Sequence, residues 1–166
     1  MPNYGLLYSG GIDSKVCRHM YPDAKLYHYD WPDDKDFTDD PEVEVIDISS
    51  YSNKAEGMTA NTIALLEDAS LGLDNIILGT IRPYDELMDL PDAPQEGTNS
   101  LVKPLENLQK HEVIKYASEN NIDLTDTISC LRIQTYEGCG ECYQCIEKKK
   151  ALAILDAEGF DYSNVI

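Results

Sequence analysis

The chain has 166 residues and an apolar fraction of 42%, which suits one domain with a substantial core and leaves little room for an added module. Thirteen basic residues against 31 acidic ones give a formal charge of −18, which repels phosphate backbones at long range and argues against general nucleic-acid binding. No apolar run reaches membrane-spanning length and no basic, then apolar, leader opens the chain, so no membrane partner and a cytoplasmic location are expected.

Tyr4 to Tyr8 reads as a buried central strand, followed by Ser9-Gly10-Gly11-Ile12-Asp13-Ser14 and a helix predicted over 14–21, stopping before Pro22. A strand that ends in two glycines and restarts as a helix aims backbone N–H groups at one point with the helix dipole behind them, which makes an anion cradle. Ser9 and Ser14 add hydroxyl donors, and Asp13 can cap the helix or hold a magnesium ion beside phosphates. A Walker A loop would need Gly-Lys-Ser/Thr and wider glycine spacing, and neither is present.

Lys25 to Asp30 reads as a second strand. Asp30 at its carboxyl end is a candidate for the ligand side of the sheet, although a capping or solvated aspartate has the same sequence signature. Trp31 to Pro41 reads as a loop, Glu42 to Ile48 as a short strand, and Ala60 to Leu71 as a helix with Ile63, Ala64, Leu66 and Ala69 at helical spacing. Asn75 to Gly79 is the next buried strand. Thr80 to Ser100 is rich in Pro, Asp and Gly and is expected to be a long loop closing over a substrate. Leu101 to Leu105 reads as a last short strand, Gln109 to Asn120 as a helix with Val113, Ile114 and Ala117 on one face, and Ile146 to Ala157 as the final helix. The order fits an α/β fold, a doubly wound and mostly parallel sheet.

Cys130, Cys139, Cys142 and Cys145 place four thiolates within sixteen residues, with Gly138 and Gly140 to let the backbone fold round an ion. Four sulfurs without another ligand indicate a closed tetrahedral Zn2+ site that serves structure, with an iron–sulfur cluster or reduced, unligated cysteines as the alternatives. Its binding energy is expected to fold an end of the chain that otherwise lacks apolar content. The expected division is a nucleotide-binding α/β domain over 1–128 and a zinc-binding segment with the last helix over 129–166, packed on the same domain. Cys17 lies outside the set and reads as a small core residue or a nucleophile. His19, His28 and His111 show no ligand or triad spacing.

Ser9 to Ser14 resembles the Ser-Gly-Gly-x-Asp-Ser signature of the PP-loop ATP pyrophosphatases (adenine nucleotide alpha hydrolase-like), and its pairing with four C-terminal cysteines resembles the 7-cyano-7-deazaguanine synthases, or QueC family. Asn61 with its apolar helix, Leu78-Gly79, Pro91-Asp92, Pro104-Leu105, Lys110 with Glu112, and Thr127-Ile128-Ser129-Cys130 are similar to further family segments in the same order. The resemblance implies ATP held by its pyrophosphate at Ser9, Gly10, Gly11, Asp13 and Ser14 with Mg2+, the adenosine side at Asp30, and Lys110, or else Lys103, neutralising charge on the α-phosphate. It also implies a deazapurine carboxylate read by Asn61, Asp85 and Asp92, ammonia as second substrate, and a homodimer. Asp13, Ser14 and Lys110 would be the catalytic group. Ala60 and Ala93 stand where the family commonly has arginine and cysteine, and the chain is distinctly shorter than a usual member. A nucleobase thiolation or amidation ligase of the same fold, and a nucleotide-binding module without catalysis, are the alternatives.

Overall fold

The computed structural model describes residues 2–30, 40–47, 57–91, 93–94, 101–133 and 135–166, with the side chains of residues 30, 47 and 57–61 outside that description. Four strands form one parallel sheet: β1 (Tyr4–Leu7), β2 (Lys25–Asp30), β3 (Val43–Asp47) and β4 (Asn75–Ile77), in the order β3-β2-β1-β4. Helix α1 (Ile12–Met20) follows β1 and leads to β2 on one side of it, and α2 (Gly57–Glu67) precedes β4 on the other. The order therefore reverses between β1 and β4. Beyond the carboxyl ends of those two strands lies the crevice where open α/β sheets bind ligands.

The two-residue period of the strands sorts their side chains between two cores. Leu26, Leu6 and Ile77 are register partners in one row, and all three lie in the larger core with Ile12, Val16, Val113, Ile114, Ala117, Ala151 and Leu155. Tyr27, Tyr29 and Ile76 point the other way, with Leu65 of α2. Apolar layers on both faces are what the doubly wound reading requires.

Several boundaries differ from expectation for local reasons. Helix α1 starts at Ile12 because Gly11, extended at φ −85° and ψ 177°, serves as its N-cap. Helix α2 ends at Glu67, since the Asp68 carboxylate accepts from the Ser70 N–H at 2.9 Å and hydroxyl at 2.6 Å, a turn that competes with another helical residue. Among its described side chains Thr62 and Leu65 are buried, whereas Ile63 is 37% exposed. The expected strand at 101–105 is a single parallel bridge from Val102 to Ile77; the chain turns at Pro104, where Glu106 N–H bonds the Lys103 carbonyl.

Helix α3 (Lys110–Glu119) has the expected inward face and a reciprocal cap between Gln109 and Glu112. Helix α4 (Tyr143–Glu158) begins three residues earlier than expected, capped by Cys142, and ends at left-handed Gly159. The C-terminal end is not poor in core residues, as the composition suggested: Tyr143, Ala151, Leu155 and Val165 are buried. Among the described residues, no helix is long and apolar enough to cross a membrane.

Candidate functional site

The glycine loop leaves β1 and turns at Gly10, whose φ of 73° is costly for any residue with a Cβ. Ser9 and Ser14 close the loop on itself. The Ser9 N–H donates to Ser14 Oγ at 3.2 Å, the two hydroxyls are 3.1 Å apart, and Ser14 Oγ also reaches the Gly11 carbonyl at 3.3 Å. Among the described residues, the Gly11 and Ile12 N–H groups are held by long bonds, to Ser9 Oγ at 3.4 Å and Ser129 Oγ at 3.5 Å. Those lengths exceed a good N–H···O bond, so a phosphate oxygen would be a better acceptor than either hydroxyl. Gly79, just past β4, comes so close that a Cβ there would lie 3.0 Å from Ser14 N and 3.1 Å from the Asp13 carbonyl carbon.

The loop is braced from two directions. From one, the Ile128 N–H donates to the Gly10 carbonyl at 2.9 Å, Ser129 Oγ meets Ile12, and Lys15 pairs with Asp126. From the other, Lys110 at the start of α3 places its Nζ 2.6 and 2.5 Å from the two Asp13 carboxylate oxygens, across 97 residues of sequence. The lysine side chain is 2% exposed and also lies 3.4 Å from Oε1 of Glu147, equally buried, on α4. Glu147 Oε2 in turn accepts from the Tyr143 hydroxyl at 2.8 Å. Burial alone would lower the Lys110 pKa, but Asp13 and Glu147 outweigh it and hold the ammonium above the ordinary lysine value.

Asp13, Ser14 and Lys110 thus come together at the carboxyl ends of β1 and β4, with Lys110 locked to Asp13 rather than projecting alone. Glu147 and Tyr143 are members of the site without a sequence-based expectation, and Ser129, expected as part of the segment that opens the cysteine cluster, lies on the glycine loop as well. Glu147 opens the run Glu-Lys-Lys-Lys and Tyr143 lies between cysteines, so neither carries a local signal of burial.

The other candidates stand differently. Asp30 closes β2 and Asn61 lies in α2, with their side chains outside the description; Asp92 lies outside the described residues, as do 95–100 of the expected closing loop. Asp85 is exposed at the start of a short 3-10 turn, Asp85–Leu87. Its neighbour Tyr84 is buried, stacks on His111 and meets that ring's Nδ1 at 2.8 Å. Cys17 is wholly buried, and burial together with the Asp13 charge pushes its thiol up to about 12, so it is a core residue and not a nucleophile. A cavity of about 200 Å³ lies at the amino-terminal ends of β1 and β2, lined by Pro2, Tyr4, Met20 and Tyr21 among others. It is smaller than usual ligand pockets and offers no cluster of anion donors.

The four cysteines meet beside this loop, their sulfurs all within 4.8 Å of one another and those of Cys130 and Cys142 3.9 Å apart. A tetrahedron with metal–sulfur bonds of 2.3 Å needs sulfurs about 3.8 Å apart. Backbone donors surround two of them: Arg132, Ile133 and Cys139 N–H groups reach Cys130 Sγ at 3.3 Å, and the Cys142 N–H reaches Cys139 Sγ at 3.3 Å. Burial pushes the Cys130 thiol up, yet those three N–H groups outweigh it and hold it at about 6. Cys145 goes the other way, pushed up to about 12 by burial and by the sulfurs of Cys142 and Cys130. Four thiolates so close require a cation to ionise together, and the donor set suits a metal ion of the zinc type. Gly138 makes the knot possible: at φ 74°, a Cβ would sit 2.4 Å from Cys145 Sγ.

Residues 79–156 match the family model described as "Queuosine biosynthesis protein QueC", a stretch that starts at the glycine packed on the loop and includes all four cysteines. The chain is similar to 7-cyano-7-deazaguanine synthase 2 of Rhodopseudomonas palustris (strain HaA2), 31% identical over 93 residues, 46% of this chain and 44% of that protein. The match therefore spans less than half of that relative. The glycine loop lies outside residues 79–156, the segment that matches the family model.

Proposed function

We propose that this chain, a QueC-like member of the PP-loop family, is an ATP-dependent carbon–nitrogen ligase of the 7-cyano-7-deazaguanine synthase type. The observation that carries the reading is the seating of the 128–130 segment of the cysteine knot on the glycine loop, which makes the two marks of the family one structure. In this reading the Gly11 and Ile12 N–H groups and the Ser9 and Ser14 hydroxyls hold the terminal phosphates of ATP. Asp13, fixed by Lys110, faces Mg2+ beside them. The cysteines hold Zn2+, which supplies a closed structural crosslink when bound.

The chemistry asks position and charge stabilisation of the protein. An oxygen of 7-carboxy-7-deazaguanine attacks the α-phosphorus, the bond to the bridging oxygen breaks, and pyrophosphate leaves. Ammonia then adds to the carbonyl carbon and AMP departs, giving the amide. A second ATP transfers AMP to the amide oxygen with release of another pyrophosphate, and loss of AMP with the two protons on nitrogen gives the nitrile. Helix α1 stabilises the departing pyrophosphate through its N-terminal N–H groups. Asn61, Asp85 and Asp92 are kept as the proposed substrate side, with Asp30 toward adenosine. The chain is proposed to act as a homodimer away from membranes and nucleic acid.

Incubation with ATP, Mg2+, ammonium and the deazaguanine acid, followed by mass spectrometry, is expected to yield AMP, amide and nitrile. Ser14→Ala should cut AMP formation by at least about 100-fold, as loss of a transition-state donor does, while the cysteine-bound metal stays. Unchanged turnover in that variant would overturn the reading, and nucleotide binding without pyrophosphate release would identify a module without catalysis. A thiolation ligase needs a reactive cysteine outside the metal set, and Cys17, the remaining cysteine, is sealed in the core.

A further inference from the structure

Three ionisable groups share the buried space behind the glycine loop, and their exposures differ. Lys110 and Glu147 side chains are each 2% exposed, while Asp13 is 18% exposed on the loop. A single carboxylate would suffice to satisfy a buried ammonium, and a second charged carboxylate in such a place carries a desolvation cost. Burial raises the Glu147 pKa above the ordinary carboxylate value, while Lys110 and the Tyr143 hydroxyl favour its charged form; with Glu147 ionised, its presence calls for a reason other than pairing.

Charge counting supplies one. A lone Lys110–Asp13 pair sums to zero and leaves Asp13 a weak ligand for a cation. With Glu147 added, the three groups carry one negative charge in excess, and Asp13 is the member that reaches the surface. Tyr143 fixes the arrangement, since its hydroxyl bonds Glu147 Oε2 at 2.8 Å and so turns Oε1 toward the ammonium, 3.4 Å away. Lys110 is thereby held from behind and aims both Asp13 oxygens without cancelling their charge.

We infer that Glu147 is a positioning residue of the nucleotide site, which through Lys110 keeps Asp13 oriented and negative toward the divalent cation of a metal–nucleotide complex. The inference rests on the reading of the glycine loop given under Proposed function and adds to it the residue that sets the strength of its cation contact. It also explains why α4 starts inside the cysteine knot: the helix that the knot anchors carries both Tyr143 and Glu147.

The test uses the full chain with its cysteine-bound metal and the variant Glu147→Gln, which keeps the shape and removes the charge. Two probes are titrated: Mn2+ with ATP, followed by the electron paramagnetic resonance of free manganese, and inorganic pyrophosphate without added divalent cation, followed by calorimetry. The variant is expected to bind Mn2+ with ATP about tenfold more weakly, as loss of one buried charge near a cation does. Its pyrophosphate affinity, set by backbone N–H groups, should be retained, as should its cysteine-bound metal. Equal losses for both probes would make Glu147 merely structural, and wild-type affinities for both would remove it from the site; either result overturns the inference alone. A wild-type chain that binds neither probe would overturn the loop reading and the inference with it. Should Glu147→Gln fail to fold, Tyr143→Phe takes its place: a smaller loss confined to the Mn2+ probe supports the inference, and wild-type behaviour with both probes overturns it.

Discussion

Lys110 is the buried cation on which three segments of the chain meet, and its environment sets a pH window. Burial works against its charge, Asp13 and Glu147 work for it, and the balance lies above the ordinary value of 10.5. A raised folded-state pKa contributes stability that is fully present below the unfolded value and is lost as pH rises through the folded one. The denaturant midpoint of the wild type should therefore fall on the alkaline side beyond 10.5 more steeply than that of Lys110→Met. At neutral pH that variant, with buried Glu147 left without its cation and half-buried Asp13 released, should be less stable by about 3–5 kcal/mol. Parallel alkaline profiles would contradict the assignment. Gly138 gives a second residue-scale prediction. Gly138→Ala meets both a positive φ and the Cys145 sulfur, so it should cost about 1–3 kcal/mol of backbone strain and lose bound metal. Gly140→Ala, with φ 77° but open space around it, should keep the metal. Metal content of the two purified variants decides between them.

At the scale of elements, α4 is where the metal knot becomes part of the site. Cys142 caps the helix, Cys145 lies in its first turn, Glu147 faces Lys110, and Ala151 and Leu155 pack in the core with α3. Removing the metal should therefore loosen a specific set of pieces and leave the sheet in place. After chelation, hydrogen exchange is expected to quicken in 128–147 and in the loop 10–14, while β1 and β2 keep their protection. Exchange unchanged at the loop would mean that the knot and the nucleotide site are mechanically separate. The element boundaries that the periodicity misplaced have a common cause. At Asp68 and at Pro104, a side chain or a missing N–H settled where the helix or strand ended, against an apolar pattern that ran on.

For the whole molecule, a formal charge of −18 means that self-repulsion opposes the compact state and the approach of ATP alike. Screening becomes effective at roughly 0.1 M salt, where the Debye length is about 10 Å. Raising sodium chloride from about 0.02 to 0.2 M should raise the melting temperature and should not weaken metal–nucleotide binding, the reverse of a site that works by a global positive field. A fall in affinity over that range would show that long-range attraction, and not local donors, holds the nucleotide. The amino-acid sequence by itself determined the glycine loop, the four cysteines, the alternation of strands and helices, and the inward face of α3, because each is written in spacings of a few residues that one turn or one strand reads locally. Only the tertiary structure decided that Lys110 meets Asp13, that Glu147 stands behind it, and that Ser129 lies on the loop. Those contacts depend on the order of strands in the sheet and on which helix face is pressed inward. Such long-range outcomes of packing free energy leave no mark in the residues beside them.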